Sequence, residues 1–316
     1  MNVKRHLLTL YTHTPLHVGS GTSVDVVDLP IMRERITGFP IIPASSLKGV
    51  LLQRAREIFE NGKHARAKAI PDEAKLLFGA VEGEGDGQVS NAGCVWVMEA
   101  KILAFPVRSL AGCFAWLTCP AVLERFQRDT GILKHPDGKL LTLPQPPKDE
   151  VIAGAELVAN GQVVLEEYAM KLDCPLKPES DNQELLKKLK GLAADPLWTH
   201  KLSSRLAIVH DENFQHFVTT CTEVVARIKV DPASRTVEDG ALFNQENVPC
   251  ETLFYSVLTV LQPRRNGSPT EFDANAKLGE LLPDGEDPNQ QPPILQIGGD
   301  ETTGHGLCET KREELQ

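Results

Sequence analysis

No apolar run in this chain approaches the ~20 residues that a membrane-spanning helix needs. The N-terminus reads without a secretory leader, because the stretch after Lys4 and Arg5 is broken by Thr9, Tyr11 and Thr12 and offers no small-residue cleavage site. Paired cysteines are missing as well. Cys94, Cys113, Cys119, Cys174, Cys221, Cys250 and Cys308 are odd in number, scattered and never in a CxxC pair, which does not fit a structural zinc site and fits a reduced cytoplasmic setting. The spacing GxxxxGK[ST] of a Walker loop is absent. So is any overall excess of basic charge: the formal net charge of −10 argues against indiscriminate nucleic-acid binding.

What the chain does hold is length and a local inversion of charge. Its 316 residues, 41% of them hydrophobic, can bury a sizeable core as one elaborated domain or two small ones. Residues 1–70 carry 10 of the 33 Lys+Arg but only 5 of the 43 Asp+Glu, so a basic groove on an acidic body is compatible with the negative total. Within that region the stretch from Tyr11 to Phe59 gathers a Gly-Ser-Gly-Thr loop, Asp25 and Asp28, the triplet Arg33-Glu34-Arg35, and Ser45-Ser46-Leu47-Lys48 at the head of a helix.

That helix is predicted from Pro43 and Ser45 onward, with Leu47, Val50, Leu51, Ala55, Ile58 and Phe59 recurring at three- and four-residue steps on one inward stripe. Its first turn leaves backbone N–H groups free beside the Ser45 and Ser46 hydroxyls and the Lys48 ammonium. Such a terminus suits a phosphate, and it equally suits an ordinary N-cap followed by a solvated lysine. Gly19-Ser20-Gly21-Thr22 follows a predicted strand over residues 6–12, either as a loop that lets backbone approach a ligand or as a plain turn. Asp28 sits in Val26-Val27-Asp28-Leu29-Pro30, where Pro30 opposes central-strand pairing and the carboxylate needs donors; a salt bridge to Arg33 or Arg35 is the simple expectation. His13 and His17 form HxxxH, which outside a helix is poor evidence for zinc.

Further on, the sequence predicts a short helix capped by Asp72, a glycine-rich loop over residues 80–93, and strands at Cys94–Met98, Lys101–Phe105 and Cys113–Thr118. A helix from Pro120 to Asp129 stops before Gly131. Arg108 reads either as an RNA contact or as a surface arginine. Asn160-Gly161 signals a two-residue hairpin. Helices follow over residues 181–194 and from an Asp211 cap to about Cys221, then long apolar strands at Val224–Val230 and Thr252–Leu261. About twenty residues separate those strands, too many for a turn. A helix near residues 271–282, a strand at Ile294–Ile297 and the loop Gly298–Gly306 complete the pattern, an α+β layering of helices on antiparallel strands.

TPLHVGSGTSVDVVDLPIMRERITGFPIIPASSLKGVL resembles the opening of the repeating backbone subunit of type III-B (Cmr) CRISPR effector complexes, within the RAMP superfamily. The similarity continues through KILAFPVRSLAGCFAWLTCPAVLERFQRD, TEVVARIKVDPASRTVEDGALFNQENVPCETLFYS and LQIGGDETTGHG. These four blocks, in order, span nearly the whole chain. The resemblance implies one RAMP domain over residues 1–316: an RRM-like (ferredoxin-like) palm with inserted fingers near 60–93 and 131–200 and a thumb β-hairpin near 230–251. It implies copies of the chain in a helical filament along guide (CRISPR) RNA, contact with other Cmr subunits, and cleavage of complementary target RNA at regular intervals.

Asp28 aligns with the aspartate the family uses for metal-dependent cleavage, expected to need Mg²⁺ or another divalent cation. The adjacent 2′-hydroxyl is the implied attacking group, giving a 2′,3′-cyclic phosphate and a 5′-hydroxyl. His17 matches a supporting histidine near the RNA; Asp25 matches less well. Ser45, Ser46 and Lys48, with Arg33 and Arg35, are the implied guide-phosphate contacts. Gly298, Gly299 and Gly304 belong to a glycine-rich loop near the guide backbone, and Phe243 is the implied thumb wedge. One aspartate is a thin metal site, so water and RNA phosphate would complete it. Two other readings stay open: a guide-RNA scaffold without hydrolytic activity, and a RAMP endoribonuclease that trims precursor guide RNA.

Overall fold

Leu7, Leu8, Leu10 and Tyr11 are all buried although they are nearly consecutive, which marks the first strand as one covered on both faces. The structure, a computed structural model, describes residues 3–23, 26–59, 71–82, 89–176, 182–230, 235, 237–262, 272–284 and 291–315. In chain order its elements are β1 (Lys4–Thr12), β2 (Ile41–Ile42), α1 (Ala44–Phe59), α2 (Asp72–Phe78), β3 (Gly79–Glu82), β4 (Val89–Ala92), β5 (Val95–Val97), β6 (Ala100–Arg108), β7 (Phe114–Thr118), α3 (Pro120–Thr130), β8 (Glu150–Ala153), β9 (Val158–Ala159), β10 (Gln162–Leu165) and β11 (Tyr168–Pro175). There follow α4 (Gln183–Lys190), α5 (Pro196–Arg205), β12 (Leu206–Ile208), α6 (Asp211–Thr220), β13 (Glu223–Val230), β14 (Val237–Asn247), β15 (Leu253–Val260), α7 (Ala274–Leu281), β16 (Ile294–Gln296) and β17 (Leu307–Leu315).

The mixed α+β expectation holds. Among the described residues one sheet runs in the order β16-β17-β1-β15-β6-β7-β12-β8-β11-β10-β9, with β2 joining β6 and β5 joining β15. β1 is antiparallel to both neighbours, Leu8 opposite Ser256 on β15 and Arg312 on β17. Helix α1 lays its buried Leu47, Leu51 and Ala55 toward the core and packs on α2 and α7. The strands β8 to β11, within the span expected to hold an insertion, extend this main sheet through β12.

Several local expectations are met for the expected reason. Asn160 and Gly161 take φ of 51° and 76°, the left-handed pair a two-residue hairpin requires, between β9 and β10. Gly131 ends α3 in the αL conformation with its N–H on the Gln127 carbonyl.

Others need correction. Residues 80–93 are not simply a loop: β3 and β4 pair from Gly79–Ala92 to Glu82–Val89, while residues 83–88, like 60–70 and Asp25, lie outside the described set. Asp211 does not cap α6. His210 does, its Nδ1 accepting the Glu212 N–H, whereas Asp211 Oδ1 reaches across to the Ala121 N–H at 2.9 Å. Helix α5, unread in the sequence, starts where Asp195 Oδ1 accepts the N–H groups of Leu197 and Trp198 and buries Trp198 and Leu202.

Within the long span before Thr252, Val237–Asn247 form the strand β14. β14 pairs antiparallel with β13 as a hairpin separate from the main sheet. No helix among the described residues is long and apolar enough to cross a membrane. All seven cysteines are free, and burial pushes the Cys94 thiol up to about 11.

Candidate nucleic-acid interface

After β1 the chain makes an irregular three-ply layer against the base of the β13–β14 hairpin. Leu16 and Val248 exchange N–H···O bonds of 2.9 and 2.8 Å, Met32 N–H donates to the Val18 carbonyl, and Ser20 N–H donates to the Pro30 carbonyl. Leu29 then bridges to β14, donating to the Asn244 carbonyl and accepting from the Glu246 N–H, each at 3.0 Å. Pro30 has no N–H to give, and Leu29 makes the one backbone bridge from this segment to β14 among the described residues.

Asp28 is exposed, and its Oδ2 accepts the Asn244 N–H at 2.7 Å. The expected salt bridge to Arg33 or Arg35 does not form. Arg33 turns inward: its Nη2 lies 2.5 Å from Glu246 Oε1, and its Nη1 donates to the carbonyls of Gly38 and Val218. Arg35 is exposed without a partner among the described residues.

Glu246, a residue sequence reasoning passed over, organises this region. Its carboxylate accepts from Arg33, from the Thr222 hydroxyl at 2.7 Å and from the Ile31 N–H at 3.0 Å. Its carbonyl lies 2.7 Å from His17 Nδ1, which fixes that ring. The available signal was Asn244-Gln245-Glu246-Asn247, four polar residues in a row on a strand, of which the last three are buried. Buried polar side chains need partners, so such a run announces a network.

The glycine loop closes over the other side of His17. Gly299 N–H donates to the His17 carbonyl at 2.9 Å, and Gly298, at φ 83°, passes so close that a Cβ would sit 2.2 Å from that carbonyl oxygen. Only glycine tolerates that approach. Asp300 ties the loop to the hairpin, accepting from Arg227 at 3.0 Å and from Gln245 Nε2 at 2.5 Å. Around the loop Arg227 Nε, Asn247 Nδ2 and His305 Nδ1 are buried without a hydrogen-bond partner among the described residues. Burial raises the Glu223 carboxyl above the usual range, with His305 opposing. Gly304, at φ 79°, faces open space.

At the head of α1 the first intrahelical bond is Leu47 N–H to the Pro43 carbonyl, so the N–H groups of Ala44, Ser45 and Ser46 precede the ladder. Ser45 and Lys48 are exposed and Ser46 half-buried. Phe243 is half-buried on β14 opposite Arg227, while its neighbour Leu242, opposite Ile228, is 66% exposed. Val224, Val225 and Ile228 are exposed on the same hairpin. Arg108 is paired with Glu166 at 2.6 Å.

The layer therefore joins Asp28, His17, Gly298 and Gly299 around the hairpin base and gives Arg33 an internal role. Asp28 offers a divalent cation one exposed carboxylate with a single oxygen already bonded. That fits a hydrated cation whose other ligands are water and phosphate, as Mg²⁺ prefers, and does not make an all-protein cage.

The RAMP superfamily profile matches residues 9–309. The chain is 36% identical over 315 residues to the CRISPR system Cmr endoribonuclease Cmr4 of Pyrococcus furiosus, covering 99% of this chain and 97% of that protein. It superposes on the crystal structure of oligomeric Cmr4 from Pyrococcus furiosus with a TM-score of 0.68 at 30% identity, covering 99% of both chains. A chain in the cryo-EM structure of the type III-B Cmr-beta bound to cognate target RNA shares the fold, with a TM-score of 0.67 at 21% identity over 99% of this chain and 97% of that one.

Proposed function

The chain belongs to the RAMP superfamily, and from that membership we propose that it is the backbone subunit of a type III-B CRISPR effector, an endoribonuclease that binds guide RNA and cleaves its complement. The observation that carries this reading is the placement of Asp28: exposed, held by one backbone N–H at the hairpin base, in the layer that also holds His17 against the Gly298–Gly299 loop. The order β17-β1-β15-β6, with α1 after β1 and α7 before β17, supports an RRM-like palm, and β13–β14 is the candidate thumb.

In this reading the guide strand runs over the head of α1, where Ser45, Ser46 and Lys48 meet its phosphates through N–H groups, hydroxyls and an ammonium. Arg35 adds exposed positive charge. Arg33 acts through Glu246, holding the Asp28 segment on the hairpin. Gly298 and Gly299 seat the glycine loop on His17, and Gly304, open on its Cβ side, lets backbone approach the guide strand closely. The hairpin wedges between guide and target, with Phe243 at its half-buried face and Leu242 presenting the larger apolar surface; this splays a target nucleotide beside Asp28.

Asp28 either accepts the proton of the target 2′-hydroxyl or holds a divalent cation through its free oxygen. A cation bound there supplies charge neutralisation at the scissile phosphate. His17 is held by the Glu246 carbonyl through Nδ1, which leaves Nε2 as the ring nitrogen able to meet RNA. The products are a 2′,3′-cyclic phosphate and a 5′-hydroxyl, and copies repeating along the guide set the interval between cuts.

The test is cleavage of a complementary RNA by the assembled complex, with and without EDTA, for the wild type and Asp28→Ala. Loss of cutting in the variant with guide binding retained, and loss in the wild type on chelation, are expected. Cutting that survives Asp28→Ala refutes the catalytic assignment, and cutting that survives EDTA refutes the metal requirement.

A further inference from the structure

Three segments remote in sequence meet at the far end of β1. His13 follows the strand, Asp195 caps α5, and Glu309 lies on β17. His13 Nε2 is 3.7 Å from Asp195 Oδ2 and 3.6 Å from Glu309 Oε2, and one ligand atom from each of the three lies within 4.8 Å of the others. Both separations from the imidazole are too long for hydrogen bonds. They are close to the ~3.3–3.6 Å that separates two ligands each ~2.0–2.2 Å from a tetrahedral cation.

The carboxylates are built to point their second oxygens inward. Glu309 Oε1 accepts the N–H groups of Ala194 and Asp195 at 2.9 and 3.0 Å, and Asp195 Oδ1 accepts those of Leu197 and Trp198 at 2.7 and 3.1 Å. Each carboxylate thus has one oxygen anchored by two backbone donors and the other turned toward His13. The Glu309 side chain is only 9% exposed, and its Oε2 faces the His13 imidazole. Asp195 and His13, 20% and 33% exposed, form the open rim through which an ion can enter. A fourth acid, Glu251, stands nearby with the Tyr11 hydroxyl on its Oε2, and the Tyr11 ring packs edge-on against His13 at 6.0 Å.

We propose that His13, Asp195 and Glu309 bind one first-row divalent cation of the zinc class, which clasps the exit of β1 to α5 and β17. The imidazole favours zinc over magnesium or calcium, whereas two hard oxygens alone would not. The backbone donors behind each carboxylate are the supports that usually orient metal ligands. Cysteine spacing spoke against a structural zinc site, and HxxxH was poor evidence for one. The ligands instead come from positions 13, 195 and 309, which no local pattern links, and His17 is not among them. The site is independent of Asp28, so it stands or falls apart from the nuclease reading.

The experiment is calorimetric titration of Zn²⁺ alone into the chelator-stripped full chain, with Mg²⁺ titrated in parallel. The expected result is one equivalent of Zn²⁺ bound, with no comparable Mg²⁺ binding. Affinity should fall at least tenfold in His13→Gln, a rim residue whose loss spares the core, and likewise in Glu309→Gln. Asp28→Ala should bind as the wild type does, and Zn²⁺ should raise the melting temperature of the wild type but not of His13→Gln. Absence of saturable binding, affinity unchanged in His13→Gln, or binding lost in Asp28→Ala overturns the proposal.

Discussion

Glu246→Gln removes one charge from the base of the hairpin and changes little in volume. Glu246 Oε1 serves Arg33 and Thr222 while Oε2 serves the Ile31 N–H. A glutamine has only one acceptor oxygen, so its amide N–H₂ must face either the Arg33 guanidinium or the Ile31 N–H, donor against donor. Breaking a fully buried ion pair costs about 3–5 kcal/mol. Arg33 is 21% exposed and keeps the Gly38 and Val218 carbonyls, while Glu246 is 7% exposed, so the expected loss is smaller, about 2–3 kcal/mol.

With ~2.1 cal/mol/K of unfolding entropy per residue over 316 residues, that loss lowers Tm by about 3–5 °C. The same change loosens the segment that holds Asp28, and a misplacement on the order of 1 Å reduces cutting by up to about 100-fold. Differential scanning calorimetry of the chain and single-turnover target cleavage by the assembled complex measure the two effects. A Tm drop below about 1 °C together with unaltered cutting refutes the claim that this carboxylate latches the site. Thr222→Ala, which removes one hydroxyl contact, should cost only about 1 kcal/mol.

Lys48→Ala should weaken guide binding and lower the salt concentration at which assembly fails, with the slope of log K against log salt reduced by about 0.7; an unchanged slope removes Lys48 from the phosphate contacts. Gly298→Ala should destabilise by more than the ~1–2 kcal/mol of its left-handed backbone alone, because the new Cβ also meets the His17 carbonyl, and urea unfolding reads the loss. Burial holds the His6 pKa below the ordinary histidine value, opposed by the Asn275 bond and helped by Arg312. The neutral ring therefore contributes its full stability above the unfolded pKa of about 6.5, and that contribution is lost as pH falls from there toward the folded value, by at most ~1.4 kcal/mol per pH unit. Urea midpoints measured on either side of that window should diverge less in His6→Gln than in the wild type.

Legibility in the sequence followed how local the cause was. Helix α1 shows in the spacing of Leu47, Leu51 and Ala55, and the β9–β10 turn shows in Asn160-Gly161, because each depends on neighbours a few residues away. The β3–β4 pairing hid behind interleaved glycines and acids. Asp28 stood out only through family resemblance, since a carboxylate between valines and a leucine equally suits a salt bridge. The partner of Arg33 was misjudged for the same reason: Glu246 lies 213 positions away, and only the return of β14 brings it close. The grouping of His13 with Asp195 and Glu309 likewise depends on β17 lying beside β1. Polar residues buried within a strand, such as Gln245 and Asn247, are the local trace that such long-range networks leave.

Asp28→Asn tests the central claim most directly, because the amide oxygen can still accept the Asn244 N–H and hold the loop while the negative charge is gone. In complexes assembled on the same guide, the account predicts target cleavage reduced by at least about 100-fold, on the order of removing a positioned acid–base group, with guide and target affinity unchanged. Cutting at the wild-type rate would mean that the charge of Asp28 plays no part in the chemistry.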